Sequence, residues 1–104
     1  MSEERVVRMA EIEIDIRHLD AYHALLAEEI SASVAFEDGV LSLSAVAVVG
    51  SPEKIRILEV YANREAYEAH LQTPHFLKYK TGTAGMVTSL TLLDVEPIIM
   101  CSKP

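Results

Sequence analysis

From Met9 to Ile16 apolar and polar positions alternate, with Ala10, Ile12, Ile14 and Ile16 set against Met9, Glu11, Glu13 and Asp15. A period of two predicts a strand across residues 5–16 with one buried face. The spacing then changes. From His18 to Phe36, the residues Leu19, Tyr22, Leu26, Ile30 and Val34 recur at helical intervals, while Glu28 and Glu29 fall off that stripe. This predicts an amphipathic helix that leaves Asp20, Glu28 and Glu29 in solvent. Glu37-Asp38-Gly39 reads as a turn, with Gly39 supplying the positive φ that ends a helix.

The next two strands differ from the first. In Val40 to Val49 one face carries Leu41, Leu43, Ala45, Ala47 and Val49, and the other Val40, Val46 and Val48 with Ser42 and Ser44. Gly50-Ser51-Pro52-Glu53 is expected to turn the chain into a strand from Lys54 to Ala62. Ile55, Ile57 and Tyr61 occupy one face of it, and Leu58, Val60 and Ala62 the other. Asn63 suits a helix N-cap, and the helix it starts places Tyr67, His70 and Leu71 on one side. Thr73 caps the following turn with Pro74 in first position, and Phe76 and Tyr79 or Lys80 repeat at helical spacing. Gly82 and Gly85 are expected to loosen the chain before a last strand from Val87 to Val95.

The order strand, helix, strand, strand, helix, strand predicts an α+β, ferredoxin-like fold. Its four-stranded antiparallel sheet carries both helices on one face. A sheet covered on one side exposes polar residues on the other, but these strands are apolar on both faces. A second copy of the chain is the economical cover, so a homodimer is expected. The apolar segment Pro97-Ile98-Ile99-Met100 is expected to lie on the partner.

At 104 residues the chain reads as one domain, residues 1–104, large enough for a modest core. The formal net charge of -7 argues against a nucleic-acid partner. No run approaches the ~18 apolar residues of a membrane span, and the charged start MSEERVVRMAEIEID lacks a signal-peptide core. A cytoplasmic protein away from membranes is the expectation. Cys101 has no cation beside it in sequence to lower its pKa and receives no catalytic role. Without a Gly-rich phosphate loop, a CxxC pair or an HExxH, no cofactor is expected.

Side chains able to move protons gather between Glu59 and Phe76. Glu59 shares a strand face with Ile55, Ile57 and Tyr61, so it faces a pocket, has a buried partner, or marks the sheet edge. If buried, its charge must be met by hydrogen bonds or its pKa rises. His70 and His75 are five apart across a helix break and lack the i, i+4 spacing of a zinc pair, so no metal site is expected. Either histidine suits a general base, with helix capping the plainer task for His75. His23 points between helix and sheet toward Tyr61 and Tyr67, or is a satisfied core residue. The expected pocket is lined by Glu59, Tyr61, Tyr67, His70, His75 and Phe76, with His23 facing it.

Glu59-Val60-Tyr61-Ala62-Asn63, then Glu68 through His70-Leu71-Gln72-Thr73-Pro74-His75-Phe76 and Tyr79, resembles the antibiotic biosynthesis monooxygenase family, and most of all its small quinol-monooxygenase members. Glu37-Asp38-Gly39-Val40-Leu41 is similar to the family's Glu-Pro-Gly-Cys turn, with Asp38 in place of Pro. Tyr61 stands where many members have Trp. The resemblance implies a dimeric α/β-barrel-like assembly with a pocket between sheet and helices. It also implies oxidation of a quinol or polyphenol by molecular oxygen without flavin, metal or haem, with Glu59, Tyr61, His70 and His75 on motif positions. Haem degradation is not expected of a chain without Trp. The alternatives on this fold are an isomerase of a small carbonyl compound, of the autoinducer-2 processing type, and a small-molecule-binding module without turnover.

Overall fold

The structure is a computed structural model and describes residues 4–104. Strand β1 (Val6–Ile14) leads through a short 3-10 turn at Ile16–His18 into helix α1 (Leu19–Phe36). Strands β2 (Val40–Val48) and β3 (Ser51–Tyr61) form a hairpin. Helices α2 (Arg64–His70) and α3 (Pro74–Thr83) follow, and β4 (Val87–Val95) closes the sheet. Every pairing is antiparallel, in the order β2-β3-β1-β4. This is the ferredoxin-like order read from the sequence.

One face of the sheet carries the core. Ala10, Ile12 and Ile14 of β1 meet Ile55 and Ile57 of β3, and Tyr22 and Leu26 of α1 close over them with Tyr79 of α3 against the cluster. The cross-strand register sets the rows of this face. Ala47, Ile55, Ile12 and Leu90 form one row, and Ala45, Ile57, Ala10 and Leu92 the next. Leu43, Glu59, Arg8 and Asp94 form a third. The alternation that buries the apolar rows therefore also aims Glu59 and Arg8 toward the helices.

Asn63 accepts a hydrogen bond from the Ala66 amide, and Thr73 accepts one from the Phe76 amide with Pro74 opening α3. Both caps stand as expected. Other details differ. Ile16 lies in the 3-10 turn and is exposed, because the strand ends at Ile14. The hairpin turns at Val49-Gly50 and β3 starts at Ser51, since Gly50 takes the positive φ of 84°. Gly39 does not take one among the described residues. It is needed for closeness instead, because a Cβ there would lie 2.4 Å from the Ala66 Cβ on α2. Gly82 lies inside α3, where a Cβ would meet Leu25 of α1 at 3.1 Å. The shift in register between Val40 and Ser42 places Val40 opposite Tyr61 and buries it. Among the described residues, no helix is long and apolar enough to cross a membrane.

Candidate functional site

Between the helix-covered face of the sheet and α1, α2 and α3 lies a cavity of about 260 Å³. Ala10, Ile12 and Ile57 form its apolar floor, and Leu90 and Leu92 of the edge strand β4 extend it. Tyr61, Tyr67, Phe76 and Tyr79 supply aromatic wall, while Arg8, Glu29, Glu59, His70 and Lys80 bring polar groups to it. The rings touch one another. Tyr61 meets Tyr67 edge-on with centroids 5.1 Å apart, and His70 lies 5.3 Å from Tyr61 and 5.0 Å from Phe76. Offset and edge-on aromatic contacts of this kind hold a rigid wall against which a planar ligand can stack.

Two groups of charges border the cavity. Glu59 accepts a hydrogen bond from the Tyr61 hydroxyl at 2.8 Å, and the Arg8 guanidinium bonds the Tyr67 hydroxyl and lies over its ring. Burial raises Glu59 above the ordinary carboxylate pKa, although the bond from Tyr61 and the charge of Arg8 pull the other way. The Tyr61 phenol is driven far up by burial and by the Glu59 charge beside it, so it stays a donor. Tyr22 and Tyr79 share a hydroxyl–hydroxyl bond of 2.7 Å, and burial raises both.

The second group is built on His70. Its Nδ1 is 3.0 Å from Glu37 Oε2, and its Nε2 is 3.3 Å from Glu29 Oε1. The Ser33 hydroxyl donates to the same Glu29 oxygen at 2.9 Å. Burial alone lowers an imidazole, but the bonds and charges of Glu29 and Glu37 outweigh it and raise His70 above the ordinary value. Burial pushes Glu37 upward, and hydrogen bonds from His75 and His70 overcome that and hold it low. His75 Nε2 reaches the same Glu37 oxygen at 2.5 Å.

Glu37, His70 and His75 each offer one metal-ligating atom, all within 4.8 Å of one another. The sequence reading had no third ligand beside the histidines, because it gave Glu37 to a turn. A cation about 2.1 Å from each donor, in tetrahedral or octahedral array, holds its donors roughly 3.0–3.4 Å apart. The 2.5 Å contact between His75 and Glu37 is shorter than that and is a hydrogen-bond distance.

Of the residues expected at the site, Glu59, Tyr61, Tyr67, His70 and Phe76 line the cavity. His75 does not, because the Thr73-Pro74 start of α3 turns its ring toward Glu37. His23 does not either. It lies on the side of α1 that faces β2, at a separate cleft with Ala27, Ser31 and Val46. Glu29, expected in solvent, is only 5% exposed. The buried residues of α1 are Tyr22, Leu26, Glu29 and Ser33, whose spacings of four, three and four place Glu29 on the inward stripe. Arg8 was also missed. It falls in the same alternation as Ala10 and Ile12 and pairs with Glu59, so its signal was the one that singled out Glu59.

A sequence model of the antibiotic biosynthesis monooxygenase family matches residues 5–82. Among solved structures, a Bacteroides thetaiotaomicron protein assigned to the antibiotic biosynthesis monooxygenases is 47% identical, with a TM-score of 0.93 over 98% of this chain and 97% of that one. A Lactobacillus acidophilus protein assigned as a monooxygenase is 30% identical with a TM-score of 0.85, over 88% of this chain and 43% of its own longer length. A Mycobacterium tuberculosis protein, 23% identical, shares the fold with a TM-score of 0.83 over 95% of this chain and 100% of that one. Among curated proteins none matches the chain.

Proposed function

The chain belongs to the antibiotic biosynthesis monooxygenase family, and on that premise we propose that its cavity oxidises a small quinol or polyphenol with molecular oxygen. The observation that carries this reading is the pairing of an aromatic-walled cavity with a carboxylate, Glu59, whose pKa burial has raised. A general base works best with a pKa near the working pH, and burial moves a glutamate in that direction. Glu59 takes the phenolic proton. The electron-rich anion passes one electron to oxygen, and the resulting radical and superoxide join at a ring carbon. The peroxide anion takes the proton back from Glu59. The ring carbon then gives up its own proton to solvent, the O–O bond breaks, and the departing hydroxide takes a proton from solvent and leaves as water. A quinol and one O2 thus give a hydroxyquinone and one water.

His70 has a different task from that of a base. Both of its ring nitrogens face carboxylates, whose bonds and charges raise its pKa, and the reading takes the ring as the protonated group that places positive charge beside the cavity. Fixed charge of that kind stabilises the phenolate and superoxide that form beside it. The electrons come from the substrate anion, so the reading assigns no flavin, haem or metal. A homodimer is part of it. Leu93 and Val95 are exposed on the sheet face away from the helices, and Ile98 is 99% exposed beyond β4. A second copy of the chain is assigned to cover them.

Oxygen consumption with a panel of quinols, catechols and trihydroxybenzenes tests the reading. Uptake that needs both protein and substrate, survives a chelator, and falls ~10²–10⁴-fold in Glu59→Gln is expected. Uptake unchanged in that variant would remove Glu59 from the chemistry. Binding of the panel without any uptake would favour the isomerase or binding-module reading.

A further inference from the structure

Glu59 and the charge of His70 suffice for the reaction above, which leaves Glu37 and His75 without a task. Yet the four groups Glu29, His70, Glu37 and His75 form one unbroken line. Glu29 faces the cavity and lies 3.3 Å from His70 Nε2. His70 Nδ1 lies 3.0 Å from Glu37 Oε2, and His75 Nε2 lies 2.5 Å from that same oxygen. Side-chain exposure rises along the line, from 6% and 3% at Glu29 and His70 to 13% and 17% at Glu37 and His75. The line starts in the cavity and ends at the surface.

We propose that Glu29, His70, Glu37 and His75 form a proton path connecting the cavity with solvent. Imidazole takes a proton on one nitrogen and releases one from the other, so a histidine held between two carboxylates passes protons without leaving its place. Glu37 bonds both histidines through a single oxygen, so a proton received from one ring is already beside the other. Ser33 fixes the Glu29 carboxylate, and the rings of Tyr61 and Phe76 pack against the His70 ring. The path rests on the oxidation proposed above. It exchanges with solvent the proton that the ring carbon gives up and the departing oxygen takes.

A cluster that merely tied α1, α2 and α3 together would respond oppositely to loss of its outer member. The test is the exchange of the His70 ring protons with water, followed by nitrogen-15 histidine NMR on the ligand-free protein. His75→Gln keeps a hydrogen-bond partner for Glu37 but cannot pass a proton. The path predicts that His70 exchange slows about tenfold in that variant while the melting temperature stays within a few degrees. Glu37→Gln should slow it likewise. Exchange that is unchanged or faster in both variants, or loss of the fold in both, would mean a structural tie and overturn the path. A second measurement separates this from the reaction. Without oxygen, p-nitrophenol entering the cavity should turn to its yellow phenolate in the native protein and in His75→Gln alike, because Glu59 takes its proton. Absence of any phenolate would sink the oxidation reading, while the exchange comparison decides the path without it.

Discussion

Glu59 interrupts an apolar row, and such a carboxylate is either partnered or pushed toward its neutral form. Both hold here, since Tyr61 donates to it and burial raises its pKa. Its face was legible because a strand alternates strictly. Glu29 was not legible in the same way. A helical stripe is wide, and Glu29 sits at its margin, seven residues after Tyr22 and three after Leu26, where its partner His70 decides its burial from a distant part of the chain. As the proposed base, Glu59 acts when ionised, so the acid limb of kcat/KM should lie above the ordinary glutamate range of about 4.3. A limb at or below that value would point to another base. His70 gives a separate expectation for stability. Its native pKa is raised, so its contribution is full below about pH 6.5 and is lost as pH rises through the native value. Glu37 is lowered, so its contribution is present above about pH 4.5 and is lost as pH falls through its native value. Thermal melts of the native protein and His70→Gln across pH should converge on the alkaline side. A constant gap between them would contradict the linkage.

At the scale of elements, the strands and caps were readable because each depends on local pattern. Asn63 and Thr73-Pro74 carry their capping chemistry within three residues, and β4 shows the bounds expected of it. Thr73→Ala should cost about 1 kcal/mol, seen as a shifted denaturation midpoint. The glycines were harder to read because their reasons lie in other elements. Gly39 has no room for a Cβ against Ala66 of α2, and this approach brings the end of α1 close enough for Glu37 to meet both histidines. Gly39→Ala should therefore destabilise by about 1–3 kcal/mol as α2 is displaced. Gly50 takes positive φ in open space, so Gly50→Asn should cost much less. Equal costs at the two positions would show that contact with α2 is not what constrains Gly39.

For the whole molecule, the topology followed from the order of elements, whereas the cavity depended on register. Arg8, Glu59 and Asp94 share one row only because β1 pairs with both β3 and β4 in that alignment. Leu90 and Leu92 line the cavity yet are 51% and 46% exposed. Sedimentation at micromolar concentration should give a dimer, and replacing Leu93 and Val95 together with Ser should raise its dissociation constant. A monomer at that concentration would contradict the proposed cover of the sheet. The chemistry itself is tested most directly by turnover of an accepted quinol under oxygen-18 gas, with the product trapped by immediate reduction and weighed by mass spectrometry. One labelled oxygen atom per product molecule is predicted, with the product nearly absent in Glu59→Gln. Product carrying no label, or formed equally well by that variant, would contradict oxygen insertion in this cavity.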